Sequence, residues 1–174
     1  MTAWILRLHA HDERALHALV LRRRPRLDRA MHVVTHLGDA LFTIGVTLVL
    51  ALGAVPGLRD AGLRAAFALA SSHLVVQLLK RTISRARPRM PEGFASLVQP
   101  PDRFSFPSGH AASSLSVALA LAAVLPGAAA GAVLAVAALV GMSRCYLGVH
   151  YPGDVIAGWT LAALGMAAAG PIIG

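Results

Sequence analysis

Twelve residues from Ser143 to Asp154 read S-R-C-Y-L-G-V-H-Y-P-G-D and join two apolar segments. They put an arginine, a histidine and a carboxylate at a membrane boundary. Asp154 follows His150 by four positions, so a helix starting near Tyr151 lets the carboxylate reach an imidazole nitrogen and fix its tautomer. A histidine held in that way can act as a nucleophile. The plainer reading of the same residues is a snorkelling arginine beside a loop histidine.

Two further clusters carry compatible chemistry: Lys80 with Arg87-Pro88, and Pro107-Ser108-Gly109-His110. Lys80, Arg87 and Arg144 are three cations able to surround one phosphoryl group, with the arginines offering forked donors to its oxygens. Ser108 and Gly109 open a helix, where free backbone N–H groups and the helix dipole favour an anion and glycine allows close backbone approach. Together the clusters describe a cage for phosphate. Taken singly, each has a plainer origin in the positive flanking of membrane spans or in an ordinary helix start.

The elements that must position these groups are apolar. The chain of 174 residues is 56% hydrophobic and 14% charged, with a mean hydropathy of +0.65. That is too apolar for a soluble domain of this size, and it predicts an all-α integral membrane helical bundle. Five span candidates follow: Gly38 to Val55, Arg64 to Leu79, Gly109 to Leu125, Ala128 to Met142 and Val155 to Ile173. Small residues four apart, Gly131 with Ala135 and Gly158 with Ala162, suit close helix packing. Between the second and third spans lies a polar, proline-rich loop from Lys80 to Pro107, which is too long for a mere connector.

Residues 1–37 form a separate basic segment ahead of a transmembrane region at 38–174. Arg7, Arg14, Arg22, Arg23, Arg24, Arg26 and Arg29 alternate there with Trp4, Ile5, Leu8, Leu16, Leu19 and Val20 at helical spacing, which predicts an amphipathic interfacial helix. His9, His11 and His17 read as surface residues, and Asp39 as a helix cap. The single cysteine, Cys145, excludes an internal disulfide. A net charge of +8 flanking apolar spans favours lipid head groups over nucleic acid as partner.

The order K-x6-R-P (Lys80, Arg87, Pro88), P-S-G-H (Pro107 to His110) and S-R-x5-H-x3-D (Ser143, Arg144, His150, Asp154) resembles the type 2 phosphatidic acid phosphatase superfamily. These membrane lipid phosphatases share their site with vanadium haloperoxidases. All three motifs match without substitution, over roughly residues 38–173. The resemblance implies a lipid phosphatase in which His150 attacks phosphorus, Asp154 holds its imidazole, and His110 protonates the leaving oxygen and then activates water. It implies that Lys80, Arg87, Ser108, Gly109, Ser143 and Arg144 bind the phosphate, with no metal and no cofactor. Implied substrates are phosphatidylglycerol phosphate, phosphatidic acid and polyprenyl phosphates or diphosphates. Transfer to another hydroxyl, or binding without catalysis, are the alternatives.

Members of that superfamily commonly have six spans, whereas here the charged residues 1–30 stand where the first would be. Span counting puts all three motifs on one face together with residues 1–37. That face carries 14 of the 16 basic residues, so the positive-inside rule predicts a multi-pass protein of the cell membrane with a cytosolic site. Oligomeric state is not readable from these residues.

Overall fold

The computed structural model describes residues 3–100 and 102–173, with side chains from residue 9 onward. Pro101 and the side chains of Trp4, Ile5, Arg7 and Leu8, which entered the reading of the N-terminal helix and the loop, lie outside the described residues. The described residues form seven α-helices in order: α1 (Ala3–Val20), α2 (Pro25–Thr35), α3 (Ala40–Ala51), α4 (Arg59–Ile83), α5 (Gly109–Ala122), α6 (Gly127–Tyr146) and α7 (Pro152–Ile173). The described residues contain no strand, only an isolated antiparallel bridge between Ala86 and Phe104.

Among the described residues three helices are long and apolar enough to cross a membrane: α4, α6 and α7. At 1.5 Å per residue they run about 30–37 Å, against a hydrocarbon core of about 30 Å. Each outruns its apolar core because charged ends continue the helix: Arg59 and Asp60 open α4 while Lys80 and Arg81 sit in its last turn. Arg144 likewise lies inside α6. The segment expected as the first span is broken. A 3-10 turn at His36–Gly38 separates α2 from α3, and the two helices meet at a 49° bend, so they cross only if the bent pair is counted as one span. The third expected span is the 14-residue α5, which α4, α6 and α7 all contact.

Close packing converges on α5. A Cβ on Gly158 would stand 2.4 Å from the Ser108 carbonyl oxygen and 3.1 Å from Ala111 Cβ. Ala162, one turn on, is fully buried. Gly131 has open space around it, and the Gly131–Ala135 face is exposed, so this second small-residue pair packs against nothing in the chain. Gly158→Ala should displace the start of α5 and destabilise the protein by about 1–3 kcal/mol, the usual cost of overpacking. Thermal unfolding in detergent measures this, and turnover should fall with it because Ser108 begins the motif helix.

The N-terminal helices are part of the bundle. Leu16 and Val20 of α1 are fully buried in a cluster with Ala111, Cys145, Tyr151 and Val155. Arg23 donates from Nε and Nη2 to the Tyr146 carbonyl at 3.0 and 2.7 Å, which satisfies a free carbonyl at the end of α6. Tyr146 in turn donates its hydroxyl to Asp28 of α2 at 2.6 Å. One of the N-terminal arginines therefore serves a helix end in the protein.

Candidate active site

Helices α3 and α4, the N-terminal end of α5, the C-terminal end of α6 and the connection that leads into α7 gather around one cavity of about 880 Å³. Its lining includes Lys80, Arg87, Gly109, His110, Arg144 and His150, so one chamber draws on all three motifs. Ser108, Ser143 and Asp154 stand behind this lining and are fully buried. Ser108 caps α5 by accepting from the Ala111 N–H, and its own N–H donates to the Asp154 carbonyl at 2.9 Å. That bond ties the second motif to the third. Ser143 donates its hydroxyl to the Val140 carbonyl at 2.6 Å, which turns it towards its own helix.

His150 follows α6 in the short connection to α7 and is 2% exposed. Its Nε2 lies 3.0 Å from Arg87 Nη1. A guanidinium can only donate, so Nε2 is the unprotonated nitrogen and Nδ1 carries the proton. Nδ1 faces Asp154 Oδ2 at 3.5 Å, longer than a good hydrogen bond, and has no other partner. Pro152 starts α7, with its fixed backbone suited to the first helical position, and this sets the four-residue spacing between His150 and Asp154 across the helix start.

Burial pushes His150 down to about 4 from 6.5, with Asp154 opposing the fall and Arg87 and Arg144 adding to it. The imidazole is therefore neutral near pH 7, with its Nε2 lone pair directed at Arg87. The unfolded chain binds more protons than the native one between those two values. His150's contribution to stability is thus fully present above about pH 6.5 and is lost as the pH falls towards 4. Thermal unfolding should show a decline across that window that is shallower in His150→Gln.

Two hydrogen bonds hold the Asp154 carboxylate. Its Oδ1 accepts from Arg85 Nη1 at 2.7 Å and its Oδ2 from the Tyr151 N–H at 2.9 Å. Arg85 also pairs with Asp12 of α1 at 2.8 Å and stacks 4.1 Å from the Tyr151 ring. Asp12 reaches further and accepts from the Gly153 N–H at 2.8 Å. A Cβ on Gly153 would stand 2.7 Å from that carboxylate, which accounts for the glycine before Asp154.

The cations differ in their partners. Lys80 and Arg87 share Asp102, at 2.5 and 2.9 Å. Burial alone would raise the Asp102 carboxyl, but Lys80, the Phe104 N–H and Arg87 hold it below the usual range. Arg144 is 3% exposed. Its Nη1 donates to Thr35 at 2.6 Å, its Nε has no partner, and no carboxylate among the described residues pairs with it. His110 Nε2 lies 2.8 Å from Asp39, whose other oxygen is 2.8 Å from His36. Asp39 makes no side-chain capping bond at α3. The carboxylate expected to cap a helix instead holds a motif histidine.

Sequence reasoning passed over Arg85, Asp102, Asp12 and Thr35. Arg85 stood two residues before a motif arginine, and Asp102 was an acid among cations; those were the only signals. Asp12 and Thr35 carried none.

A helical bundle with apolar, membrane-length helices around a cavity of cations and histidines, together with relatives named as phosphatases, defines the class: this is a membrane phosphatase, a hydrolase of phosphoric esters. Residues 61–171 match the PAP2 superfamily, and the chain belongs to that family of lipid phosphatases. It is similar to phosphatidylglycerophosphatase B of Bacillus subtilis (strain 168), at 34% identity over 88% of this chain and 78% of the relative. It is also similar to decaprenylphosphoryl-5-phosphoribose phosphatase of Mycobacterium tuberculosis (strain ATCC 25618 / H37Rv), at 36% identity over 80% of this chain and 77% of that one. The fold is similar to the crystal structure of the transmembrane PAP2 type phosphatidylglycerolphosphate phosphatase from Bacillus subtilis. The TM-score is 0.77 at 32% identity, over 95% of this chain and 85% of the other.

Proposed function

We propose that the protein hydrolyses a phosphate ester of a membrane lipid through a phosphohistidine. The observation that carries this reading is Arg144, a buried guanidinium without a carboxylate partner that lines the same cavity as His150. A buried unpaired charge is costly unless an anion joins it. His150 Nε2 attacks phosphorus as the bond to the lipid oxygen breaks, and Asp154 stabilises the imidazolium that forms. His110, oriented by Asp39, gives its proton to the leaving oxygen. It then takes a proton from water, which attacks phosphorus and releases inorganic phosphate. Lys80, Arg87, Arg144 and the Gly109 N–H carry the equatorial oxygens, since phosphoryl transfer depends mainly on positioning and charge stabilisation, while Ser108, whose N–H is committed to the Asp154 carbonyl, holds the start of α5 in place.

From the cage the cavity continues between α3 and α4 past Ile44, Leu48, Leu69 and Leu74, which suits a substrate whose hydrocarbon stays in the bilayer. Phosphatidylglycerol phosphate, phosphatidic acid and polyprenyl phosphates or diphosphates form the substrate class, in line with the names of the relatives. Phosphate release by detergent-solubilised protein in EDTA, across a panel of such lipids with His150→Ala as control, tests the reading. Silence across the panel from folded wild type overturns it.

The site faces the cytosol in this proposal, on the balance of basic residues given above. Arg103 is exposed in the catalytic loop. In a Cys145→Ala background, Arg103→Cys should react with a membrane-impermeant thiol reagent only after cells are opened. Labelling of intact cells would reverse the orientation.

A further inference from the structure

The cage accounts for only one end of the cavity. Below it, α4 puts His73, Gln77 and Lys80 at positions i, i+4 and i+7, on one helical face, and all three line the chamber. Lys80 belongs to the cage and lies about 10 Å along the helix from His73 at 1.5 Å per residue. His73 abuts the helix start that completes the cage: its Cε1 is 3.7 Å from where a Cβ would stand on Gly109. From the facing helix α3, Thr47 lines the same cavity.

The polar atoms of these residues are largely unspent. The Gln77 amide nitrogen and His73 Nε2 are 3.2 Å apart, the one hydrogen bond either side chain makes among the described residues. Thr47 is 3% exposed, and its hydroxyl is buried without a partner. Polar groups at membrane depth are expensive when unpaired, and where they line a cavity they mark what passes through it. No step of the phosphoryl chemistry uses these three side chains. An imidazole, an amide and a hydroxyl offer mixed donors and acceptors with no fixed charge of their own, which matches hydroxyl groups better than a second phosphate.

We infer that His73, Gln77 and Thr47 form a leaving-group subsite that selects phosphate esters of a hydroxylated head group over esters whose phosphate sits directly on the apolar part of the lipid. This rests on the lipid phosphatase reading. The subsite holds the glycerol or sugar portion that leaves with the bridging oxygen, between the cage and the apolar groove.

The test compares phosphatidylglycerol phosphate with phosphatidic acid of the same acyl chains, in mixed micelles, by kcat/KM. Wild type should prefer the first by about tenfold or more, the worth of one to two hydrogen bonds. The double variant His73→Leu/Gln77→Leu should lose most of that preference through the first substrate alone. Thr47→Val, nearly equal in volume, should lose part of it and keeps the test open if the double variant does not fold. Equal losses on both substrates, or a wild type without preference that still releases phosphate, overturn the inference and leave the phosphatase reading standing. No release from either substrate by folded wild type removes the phosphatase reading and the inference with it.

Discussion

Under the proposed mechanism His150→Ala is expected to release no phosphate from any lipid, a fall of at least about 10⁴ in kcat as for loss of other catalytic nucleophiles, while its thermal unfolding stays cooperative. The separation of activity from folding follows from the residue's surroundings. His150 makes few bonds that the fold needs: Nδ1 has only the 3.5 Å approach to Asp154, and that carboxylate keeps Arg85 and the Tyr151 N–H without it. Removing the ring also removes a group whose burial disfavours its charged form. Activity and unfolding measured on the same preparation check this, and a variant that retains half of wild-type turnover ends the phosphohistidine mechanism.

Arg144→Lys is expected to cost about 10²–10³ in kcat, below the roughly 10³–10⁵ attributed to arginines that stabilise phosphoryl transfer, because the lysine keeps a positive charge. The guanidinium has two tasks that one ammonium cannot share. Nη1 is committed to Thr35 at 2.6 Å, which fixes the plane of the group, and the remaining donors are left for the phosphate. A lysine either satisfies Thr35 or turns to the substrate, and its point charge does not reproduce the fork. Lys80 and Arg87 cannot compensate, because Asp102 shares both. Single-turnover measurements separate the chemical step from binding, and a variant with a raised KM and unchanged kcat would assign Arg144 to ground-state binding instead.

The helical membrane class was legible because apolar composition leaves few alternatives to a bundle, and the three motif clusters were legible because each is local. Helix ends were less so: the charges around α4 looked like span boundaries, yet Arg59, Asp60, Lys80 and Arg81 all continue the helix. The turn at His36–Gly38 fell where the first span was expected to begin, but no local pattern marked α3 as only 12 residues long. What escaped most completely were partners separated by long stretches of chain. Asp12 meets Arg85 and Gly153, and Thr35 meets Arg144, from 73 to 141 positions apart. A single sequence carries no local pattern that announces such pairs, because they exist only once the helices have packed.

The seat of Asp12 has a practical corollary for handling the protein. Residues 3–20 lie in the segment expected to form an interfacial helix apart from the transmembrane region, which makes them the natural place for a truncation or a bulky fusion partner. Shortening or disordering α1 would strip the Gly153 N–H of its acceptor, leave Arg85 with one carboxylate in place of two, and uncover Ala111, Cys145, Tyr151 and Val155, on which Leu16 and Val20 pack. The damage would surface as loss of turnover in a protein that still inserts into detergent or lipid. It would be read as a defect of the catalytic motifs although none of them had been altered.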